Sequence, residues 1–374
     1  MTRPSTRLRT AGAAGTAFLA VLMAGCTAGD SGSGSPAAGK TYGTPAGQRF
    51  VNGVQRPEDL FAVPGTSWVV VSSQGHGKAA GKLQTVDSTN GQVKELWPAG
   101  APAPRPDPAR YPDCPGPPDA AAASPHGIGI RSIAPDRAEL LVVNHGGRES
   151  IEAFDLDLSK ARPVATWVGC VLMPSGTSGN GVASLPDGSG FAVTNFVDPS
   201  RRDGFKAMFD GQDTGDVRVW RTADGWRTVP GSAMGGPNGL LVTPDGSAAI
   251  VAAWPARRVV RLPLAGGPPT TIAKLHFLPD NLRWDTDGTI LTTGQDLTYQ
   301  DILTCNAGEG TDCPVGYSIM RIDPANSDVS TVFRSEDQTF GLATVAAPVG
   351  NEIWVGTLGA DRIARVRDRG EHDE

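Results

Sequence analysis

The sequence predicts an all-β fold, a six-bladed β-propeller, from three observations. The 374 residues include 48 glycines and 31 prolines but only 19% charged residues, a composition that favours short strands joined by tight turns over long helices. A hairpin pattern of two apolar strands around a turn, usually with Asp-Gly, recurs six times after about residue 50. The copies begin roughly 40 to 70 residues apart, a spacing typical of propeller blades with variable outer loops.

A leader precedes these repeats. Residues 1–26 run from a basic start through an apolar stretch to Gly25-Cys26, which is typical of a signal peptide and too short for a membrane-spanning helix. The ending Leu22-Met-Ala-Gly-Cys26 resembles a bacterial lipobox, which implies removal of the leader and lipidation of Cys26. A cleaved leader without lipid is the alternative. Residues 27–45, rich in Gly, Ser and Ala, are expected to form a flexible tether, so we expect an extracytoplasmic protein anchored to the bacterial cell membrane.

The six repeats are expected to form one domain over residues 46–368, followed by a charged tail at 369–374. Each repeat needs its neighbours to cover its apolar faces, and no linker divides the series. The net charge is −6, and no basic cluster lies beyond the leader. Nucleic-acid partners are therefore excluded on electrostatic grounds, and the oligomeric state is left open.

The cysteines are expected to form disulfides, because export places them in an oxidising compartment. The chain has five cysteines, and four remain when Cys26 is set aside. Cys305 and Cys313 flank a Gly-rich stretch and most simply close that loop, which leaves Cys114 to pair with Cys170. A zinc site is the alternative for these thiols, but no Cys-x-x-Cys spacing is present.

The repeats give a predicted position for each blade. Their hairpins begin at Pro57, Pro125, Gly179, Pro237, Pro279 and Thr339. Third strands are expected at Ser150–Asp155, Asp216–Trp220, Arg258–Leu262 and Ser318–Asp323. Two insertions, Ala101–Ala123 and Asp198–Asp213, are expected to form surface loops over one face that shape access to the centre.

The first residues of the repeats carry the predicted chemistry. The innermost strand of each blade lines the axial channel, so equivalent positions of successive repeats face one another. In five repeats a polar residue directly follows the residue at which the hairpin begins. The sixth repeat offers only the apolar wall Phe340-Gly341 at this position. The candidate calcium ligands among them are Glu58, Asn180, Asn238, Asp280 and Asn281. Such oxygen donors suit Ca²⁺ rather than Zn²⁺. Any one of these pairs taken alone is better explained by turn formation; the register that they share favours a metal site.

Two histidines are candidate catalytic residues. His126 begins the second repeat and His145 ends the paired strand of the same hairpin, so we expect them to be neighbours, with His126 able to act as a general base toward water. His76, His276 and His372 are expected to be structural or exposed. The sequence contains no Gly-x-Ser-x-Gly, His-Glu-x-x-His or Gly-x-Gly-x-x-Gly motif, which argues against a serine hydrolase, a zinc protease or a dinucleotide site.

These segments resemble the paraoxonase/arylesterase branch of the wider senescence-marker-protein and gluconolactonase superfamily. Pro125-His-Gly-Ile128 followed by Leu140-Leu-Val-Val-Asn-His145 is similar to the histidine-dyad hairpin of that branch. The segments similar to its calcium site are Pro57-Glu-Asp59, Asn180, Pro237-Asn-Gly239 with Thr243-Pro-Asp-Gly246, and Asp280-Asn281.

The resemblance implies a calcium-dependent hydrolase of lactones or esters, in which the five oxygen ligands bind a catalytic Ca²⁺, His126 activates water and His145 assists. The family also holds a second, structural calcium with acids adjacent to the first set. Here Asp59 is present, but Gly181 stands where an Asp is expected, so the resemblance supports one calcium. The alternatives are a non-enzymatic, calcium-stabilised binding propeller on the cell surface and a strictosidine-synthase-like member with other chemistry.

Overall fold

The structure, a computed structural model, describes residues 47–77, 79–307, 315–336 and 340–368. These residues form six four-stranded antiparallel sheets, which confirms the predicted six-bladed β-propeller. The predictions for the leader, Cys26, the tether over residues 27–45, Cys313, Thr339, His372 and the tail lie outside the described residues. Neither of the two described helices is long and apolar enough to cross a membrane.

The blades follow one another along the chain, each running from its inner strand outward. Strand β1 (Gln48–Asn52) comes first. Blade 1 comprises β2 (Pro57–Ala62), β3 (Trp68–Ser73), β4 (Lys82–Asp87) and β5 (Val93–Trp97). Blade 2 comprises β6 (Pro125–Ala134), β7 (Arg137–Asn144), β8 (Ser150–Asp157) and β9 (Val164–Leu172). Blade 3 comprises β10 (Gly179–Ser184), β11 (Gly190–Asn195), β12 (Asp216–Arg221) and β13 (Gly225–Thr228). Blade 4 comprises β14 (Pro237–Val242), β15 (Ala248–Ala253), β16 (Arg258–Pro263) and β17 (Thr270–Lys274). Blade 5 comprises β18 (Leu278–Trp284), β19 (Ile290–Gln295), β20 (Tyr317–Ile322) and β21 (Val329–Ser335). Blade 6 comprises β22 (Ala343–Val349), β23 (Glu352–Thr357), β24 (Arg362–Arg367) and β1.

The ring is closed by the pairing of the first strand with the last. Strand β1 lies antiparallel to β24, with Phe50 opposite Ala364, so the sixth sheet contains both ends of the described chain. Apolar side chains then fill the space between adjacent blades. Between blades 1 and 6, for example, Leu60 and Val71 pack in one cluster with Trp354. Burying these faces needs every neighbour, which is why the propeller forms one domain.

Every inner strand is interrupted by a β-bulge close to its first residue. The register shifts lie between Pro57 and Asp59, Pro125 and Ile128, Gly179 and Val182, Pro237 and Leu240, Pro279 and Leu282, and Ala343 and Val345. A bulge bends the strand and re-aims the side chains within it. The polar residues predicted to face the channel lie inside these bulges.

The sixth repeat begins later than predicted. Its inner strand starts at Ala343 and its bulge holds Thr344, whose hydroxyl donates to the Glu58 carbonyl oxygen at 2.6 Å. The assignment of Phe340-Gly341 to this position is wrong. Phe340 is fully buried and packs against Phe50 and Tyr317, with ring centroids 5.9 and 5.3 Å apart. Its apolar ring packs between blades 5 and 6 rather than in the polar channel.

The long insertions lie at the end of the ring where the inner strands begin. In an antiparallel blade, the connection after the second strand and the connection to the next blade both return to this end. The insertion over residues 198–213 contains helix α1 (Gly204–Phe209), and the connection between β19 and β20 contains α2 (Tyr299–Ala307). The Phe209 ring of α1 contacts Trp254 edge to face and Tyr299 at a tilt, with ring centroids 5.4 and 5.7 Å apart. An aromatic cluster thus borders the channel mouth.

A disulfide joins Cys114 to Cys170, which confirms that predicted pair and removes both thiols from any zinc site. It attaches the insertion over residues 101–123 to β9, the outer strand of blade 2. The second predicted bridge includes Cys313, outside the described residues, and stays a prediction.

Replacing both Cys114 and Cys170 with Ala should lower the free energy of unfolding. The bridge closes a loop with a sequence separation of 56, for which chain entropy gives about 4 kcal/mol. Urea denaturation under oxidising conditions measures the change. An unfolding midpoint equal to that of the unmodified chain would contradict this expectation.

Candidate active site

The five predicted metal ligands are buried where the inner strands begin. Their exposed fractions are Glu58 0%, Asn281 1%, Asn180 5%, Asn238 5% and Asp280 7%. They come from the inner strands β2, β10, β14 and β18 of blades 1, 3, 4 and 5. The inner strands of the other two blades place His126 of β6 and Thr344 of β22 at the equivalent positions. The structure therefore gathers residues that are far apart in sequence at one end of the channel.

Direct contacts join part of this set. The Asn281 amide donates to Glu58 Oε1 at 2.9 Å. His126 Nε2 lies 3.3 Å from the same oxygen and 3.4 Å from Asn180 Nδ2. Asn238 is held through its backbone, because its carbonyl oxygen accepts a 2.6 Å hydrogen bond from Thr194.

Three oxygens of this set could bind a cation without breaking a hydrogen bond. Glu58 Oε2, Asn180 Oδ1 and Asn238 Oδ1 are buried with no hydrogen-bond partner in the described part of the chain. An unsatisfied buried acceptor costs about 1–3 kcal/mol, and a bound cation would offset that cost for all three. These residues therefore fit a hard, oxygen-liganded ion.

The donor set also indicates which metal fits. Among residues that the structure describes, no group of three or more His, Cys, Asp or Glu side chains is arranged to hold a metal. A site here depends on amide oxygens together with carboxylates. That combination is usual for Ca²⁺ and unusual for Zn²⁺.

The two carboxyl groups of the set titrate differently. Burial raises the pKa of Asp280 to about 8, and the nearby Glu58 carboxylate adds to the rise. Burial acts on Glu58 in the same direction, but His126, with help from Asn281 and Arg283, holds the pKa of Glu58 below its ordinary value. Near neutral pH the metal-free pair therefore carries about one negative charge, and a divalent cation would favour ionisation of both.

A hydrogen-bonded chain orients Asp280. Gln295 Nε2 donates to Asp280 Oδ2 at 2.9 Å and to the Ala343 carbonyl oxygen at 2.7 Å. Gln295 Oε1 accepts from the Trp254 indole at 3.1 Å. An indole N–H can only donate, so Trp254 fixes which end of the Gln295 amide faces the carboxylate.

The two candidate catalytic histidines are in contact, as expected. His145 Nε2 lies 2.9 Å from His126 Nδ1, and the rings meet edge to face. On its other side, His145 Nδ1 lies 2.9 and 3.0 Å from the two carboxylate oxygens of Glu149. Gln74 also approaches His126 Nδ1, at 3.1 Å.

One arrangement of protons on two neutral rings is consistent with the contacts from Glu149 through His145 to His126. Because Glu149 accepts, His145 carries its proton on Nδ1 and offers the lone pair of Nε2 to His126 Nδ1–H. The unprotonated atom of a neutral His126 is then Nε2, beside Glu58 and Asn180; when the ring is protonated, Nε2–H faces the Glu58 carboxylate instead. The base is thus directed toward the candidate metal ligands.

The pKa of His126 reflects the same surroundings. Burial alone would lower the pKa of this imidazole, but the Glu58 carboxylate outweighs burial and raises it. About 14% of the His126 side chain stays exposed, against 1% for Glu58. The histidine is therefore the part of the site that a substrate can reach.

Sequence reasoning missed Glu149, Gln295 and Trp254. Gln295 ends β19, Trp254 directly follows β15, and Glu149 directly precedes β8. The ends of second strands return to the same face as the starts of inner strands. An alignment of these ends across the repeats would have shown Gln295 and Trp254, whereas Glu149 lies in the connection between β7 and β8 and has no such signal.

The other two histidines that the structure describes do not join the site. His276 is exposed and its Nε2 contacts Ser318 Oγ at 3.1 Å, while His76 pairs through its backbone with Ala79. Both lie as expected for structural or exposed residues.

No protein-family model matches the sequence, and no curated protein matches it. Among solved structures, similar chains include a luciferin-regenerating enzyme, 12% identical, with a TM-score of 0.53 over 87% of this chain and 96% of that one. A structural-genomics protein classed as a gluconolactonase is 16% identical, with a TM-score of 0.51 over 87% and 93%. The PQQ-bound aldose sugar dehydrogenase of Streptomyces coelicolor is 15% identical, with a TM-score of 0.51 over 86% and 99%. These similarities show the propeller fold; the superfamily and its paraoxonase branch stay predictions.

Replacing Glu58 with Gln should lower the pKa of His126 in calcium-free protein. The carboxylate 3.3 Å from Nε2 favours the imidazolium, and the amide removes that negative charge while keeping the shape. NMR titration of the histidine ring protons in the presence of EDTA measures the effect.

The matched control is Glu149→Gln, which removes a carboxylate from His145 rather than from His126. The Glu58 variant should shift His126 more than the control does. A His126 pKa that is unchanged or higher in Glu58→Gln would show that another group raises it.

Proposed function

We propose that the protein is a calcium-dependent hydrolase of lactones or esters. The observation that carries the proposal is the chain from Glu149 through His145 to His126, which ends in a basic nitrogen beside buried oxygens suited to Ca²⁺. A base and a cation site in one channel mouth are the two parts that hydrolysis of a carbonyl compound needs. One neighbour of the same fold is classed as a gluconolactonase, so the fold is compatible with this chemistry, although fold alone does not decide it.

The metal would be held by the five oxygen-bearing side chains at the starts of the inner strands: Glu58, Asn180, Asn238, Asp280 and Asn281. When bound, Ca²⁺ would supply the positive charge that polarises the substrate carbonyl and stabilises the oxyanion. The protein prepares this position through Thr194, which fixes the Asn238 backbone, and through Gln295, which orients Asp280. A second calcium is not part of the proposal.

His126 would act as the base. Its Nε2 takes a proton from water as the water oxygen forms a bond to the carbonyl carbon. The positive charge on the ring is stabilised through the hydrogen bond to His145, whose own proton faces Glu149. When the carbon–oxygen bond to the leaving group breaks, the leaving alkoxide takes the proton from His126. A lactone gives one hydroxy acid, and an ester gives an acid and an alcohol.

The alternative of a calcium that only stabilises a binding propeller does not account for the histidine chain. A structural ion needs oxygen ligands but no ordered base beside it. Within the described residues, Glu149 and His145 bring no ligand to the candidate metal position and serve to orient His126. We therefore favour the enzyme.

We further propose that the mature chain is exported and attached to the cell membrane through lipid on Cys26. The support is the leader and its lipobox-like end in the sequence. Mass spectrometry of the membrane fraction tests it, because a lipidated N-terminal peptide carries the mass of the acyl chains, whereas a secreted chain carries none.

Replacing Asn238 with Ala should weaken Ca²⁺ binding on the order of tenfold or more and abolish hydrolysis at calcium concentrations that saturate the unmodified protein. The change removes a buried oxygen that has no other partner among the described residues. Isothermal titration with CaCl₂ and a panel of lactones and aryl esters provide the two readouts.

Asn195→Ala is the matched control for this variant. Asn195 is equally buried, at 5%, but its oxygen accepts a hydrogen bond from the Ser178 backbone. The control should lose about 1 kcal/mol of stability and keep its calcium affinity. Equal affinity in both variants would remove Asn238 from the metal site.

Replacing His126 with Gln should slow hydrolysis by about 10²–10⁴-fold while leaving Ca²⁺ bound, because the predicted ligands are oxygens of other residues. Turnover of the lactone panel is compared with calcium affinity measured on the same preparation. Unchanged turnover would show that His126 is not the base, and a calcium-replete parent that hydrolyses none of the panel would favour the non-enzymatic alternative.

A further inference from the structure

A buried ion pair lies just below the candidate active site in the channel. Arg283 is two residues further along β18 than Asn281, and Asp59 is the residue after Glu58 on β2. Their exposed fractions are 6% and 1%. Arg283 Nη2 donates a hydrogen bond to Asp59 Oδ1. Buried charges need partners of this kind, so the pair is a built feature of the channel.

The guanidinium also binds backbone oxygens of three inner strands. Nε donates to the Leu60 carbonyl of β2 at 2.8 Å, and Nη1 donates to the Leu282 carbonyl of β18 at 2.7 Å. Nη2 lies 3.4 Å from the Ile128 carbonyl of β6. The Phe61 ring lies beneath the guanidinium, 4.9 Å from its centroid to the central carbon. One cation thus connects blades 1, 2 and 5 at the axis.

Asp59 has no oxygen to spare for another ion. Its Oδ1 accepts from Arg283 and from its neighbour's backbone N–H, Leu60, at 2.9 Å. Its Oδ2 accepts from the Ile128 backbone N–H at 2.8 Å. A divalent cation placed here would also face the positive charge of the guanidinium.

Position 181 cannot supply a second acid in this backbone. A Cβ atom on Gly181 would lie 2.7 Å from the Leu240 nitrogen and 3.0 Å from the Asn238 carbonyl oxygen. Both are backbone atoms of the adjacent inner strand, so a side chain would require the two strands to separate. The residues present therefore do not fit the second, structural calcium that members of the resembling family hold.

We propose that Arg283 is the permanent cation of this channel and performs the structural role for which the resembling family uses a second calcium ion. Its positively charged guanidinium neutralises Asp59 and holds three inner strands together. A chelator cannot remove it. Calcium at the upper site can then be lost and regained without disassembly of the channel. This inference shares with the proposed function only the count of one calcium per chain.

The test combines calcium stoichiometry with thermal unfolding of the mature chain. Isothermal titration with CaCl₂ should give one bound ion per unmodified chain. In EDTA, Arg283→Met should lower the unfolding temperature on the order of 5 °C or more, because it leaves Asp59 buried and unpaired. Adding Asp59→Asn to that variant should recover at least half of the loss, because it removes the uncompensated charge.

Arg321→Met is the matched control. Arg321, on β20 of blade 5, forms ion pairs with Asp285, which follows β18, and with Asp368, which follows β24. Its loss of stability should not be recovered by Asp59→Asn. Should Arg283→Met fail to fold, Arg283→Lys is tested in its place. Lysine keeps the positive charge but has fewer hydrogen-bond donors, so this variant should fold and unfold at a lower temperature than the unmodified chain.

Each result separates the possibilities. Two calcium ions per unmodified chain, one of them lost in Asp59→Asn, would overturn the inference. So would an Arg283→Met protein that is as stable as its parent, or one that Asp59→Asn does not rescue, since the role would then be packing rather than charge. If the unmodified chain bound no calcium, the metal centre of the proposed function would fail, and the thermal measurements would still decide the role of Arg283.

Discussion

The pairing of β1 with β24 is the constraint on which the candidate site depends. It closes the ring, and only a closed ring brings the starts of all the inner strands to a common axis. Glu58 and Asn281 are separated by 223 positions in sequence and lie within 2.9 Å. The bulge at each strand start then turns these side chains toward the channel. Neither the metal ligands nor the base would meet in an open array of the same six hairpins.

Closure also creates an electrostatic problem that the channel has to solve. Three carboxyl groups are buried near the starts of two inner strands: Glu58 and Asp59 on β2, and Asp280 on β18. In such a low-dielectric setting like charges cannot all remain ionised without cations. Arg283 compensates the deeper carboxylate permanently. In the metal-free protein, His126 stabilises the carboxylate of Glu58, which lies beside Asp280. We propose that bound Ca²⁺ stabilises the negative charge of both carboxylates.

The proposed division into a permanent cation, Arg283, and an exchangeable Ca²⁺ bears on the proposed function. The lower position is saturated by side-chain and backbone groups of three blades. The upper position keeps three buried oxygens without hydrogen bonds in the described chain and has the partly exposed His126 beside it. Rigid support below and unsatisfied ligands above are what a preorganised catalytic ion requires. The helices α1 and α2 lie on this same face, so access to the candidate metal position passes the aromatic cluster that they help to form.

Much of this arrangement was readable in the amino-acid sequence, because it depends on local patterns. Apolar alternation around a turn, with Asp-Gly in three copies, marked six hairpins, and the shared register of Glu58, His126, Asn180 and Asn238 marked the polar channel. Features that depend on long-range partners were not readable. Thr344, rather than Phe340, completes the ring because Phe340 packs between blades once β1 is in place. Glu149 reaches His145 only across a turn whose shape the pattern does not specify, and Arg283 meets Asp59 across 224 positions. Periodicity encodes which face of a strand is buried, whereas the choice of partner for a buried charge is made when the ring closes.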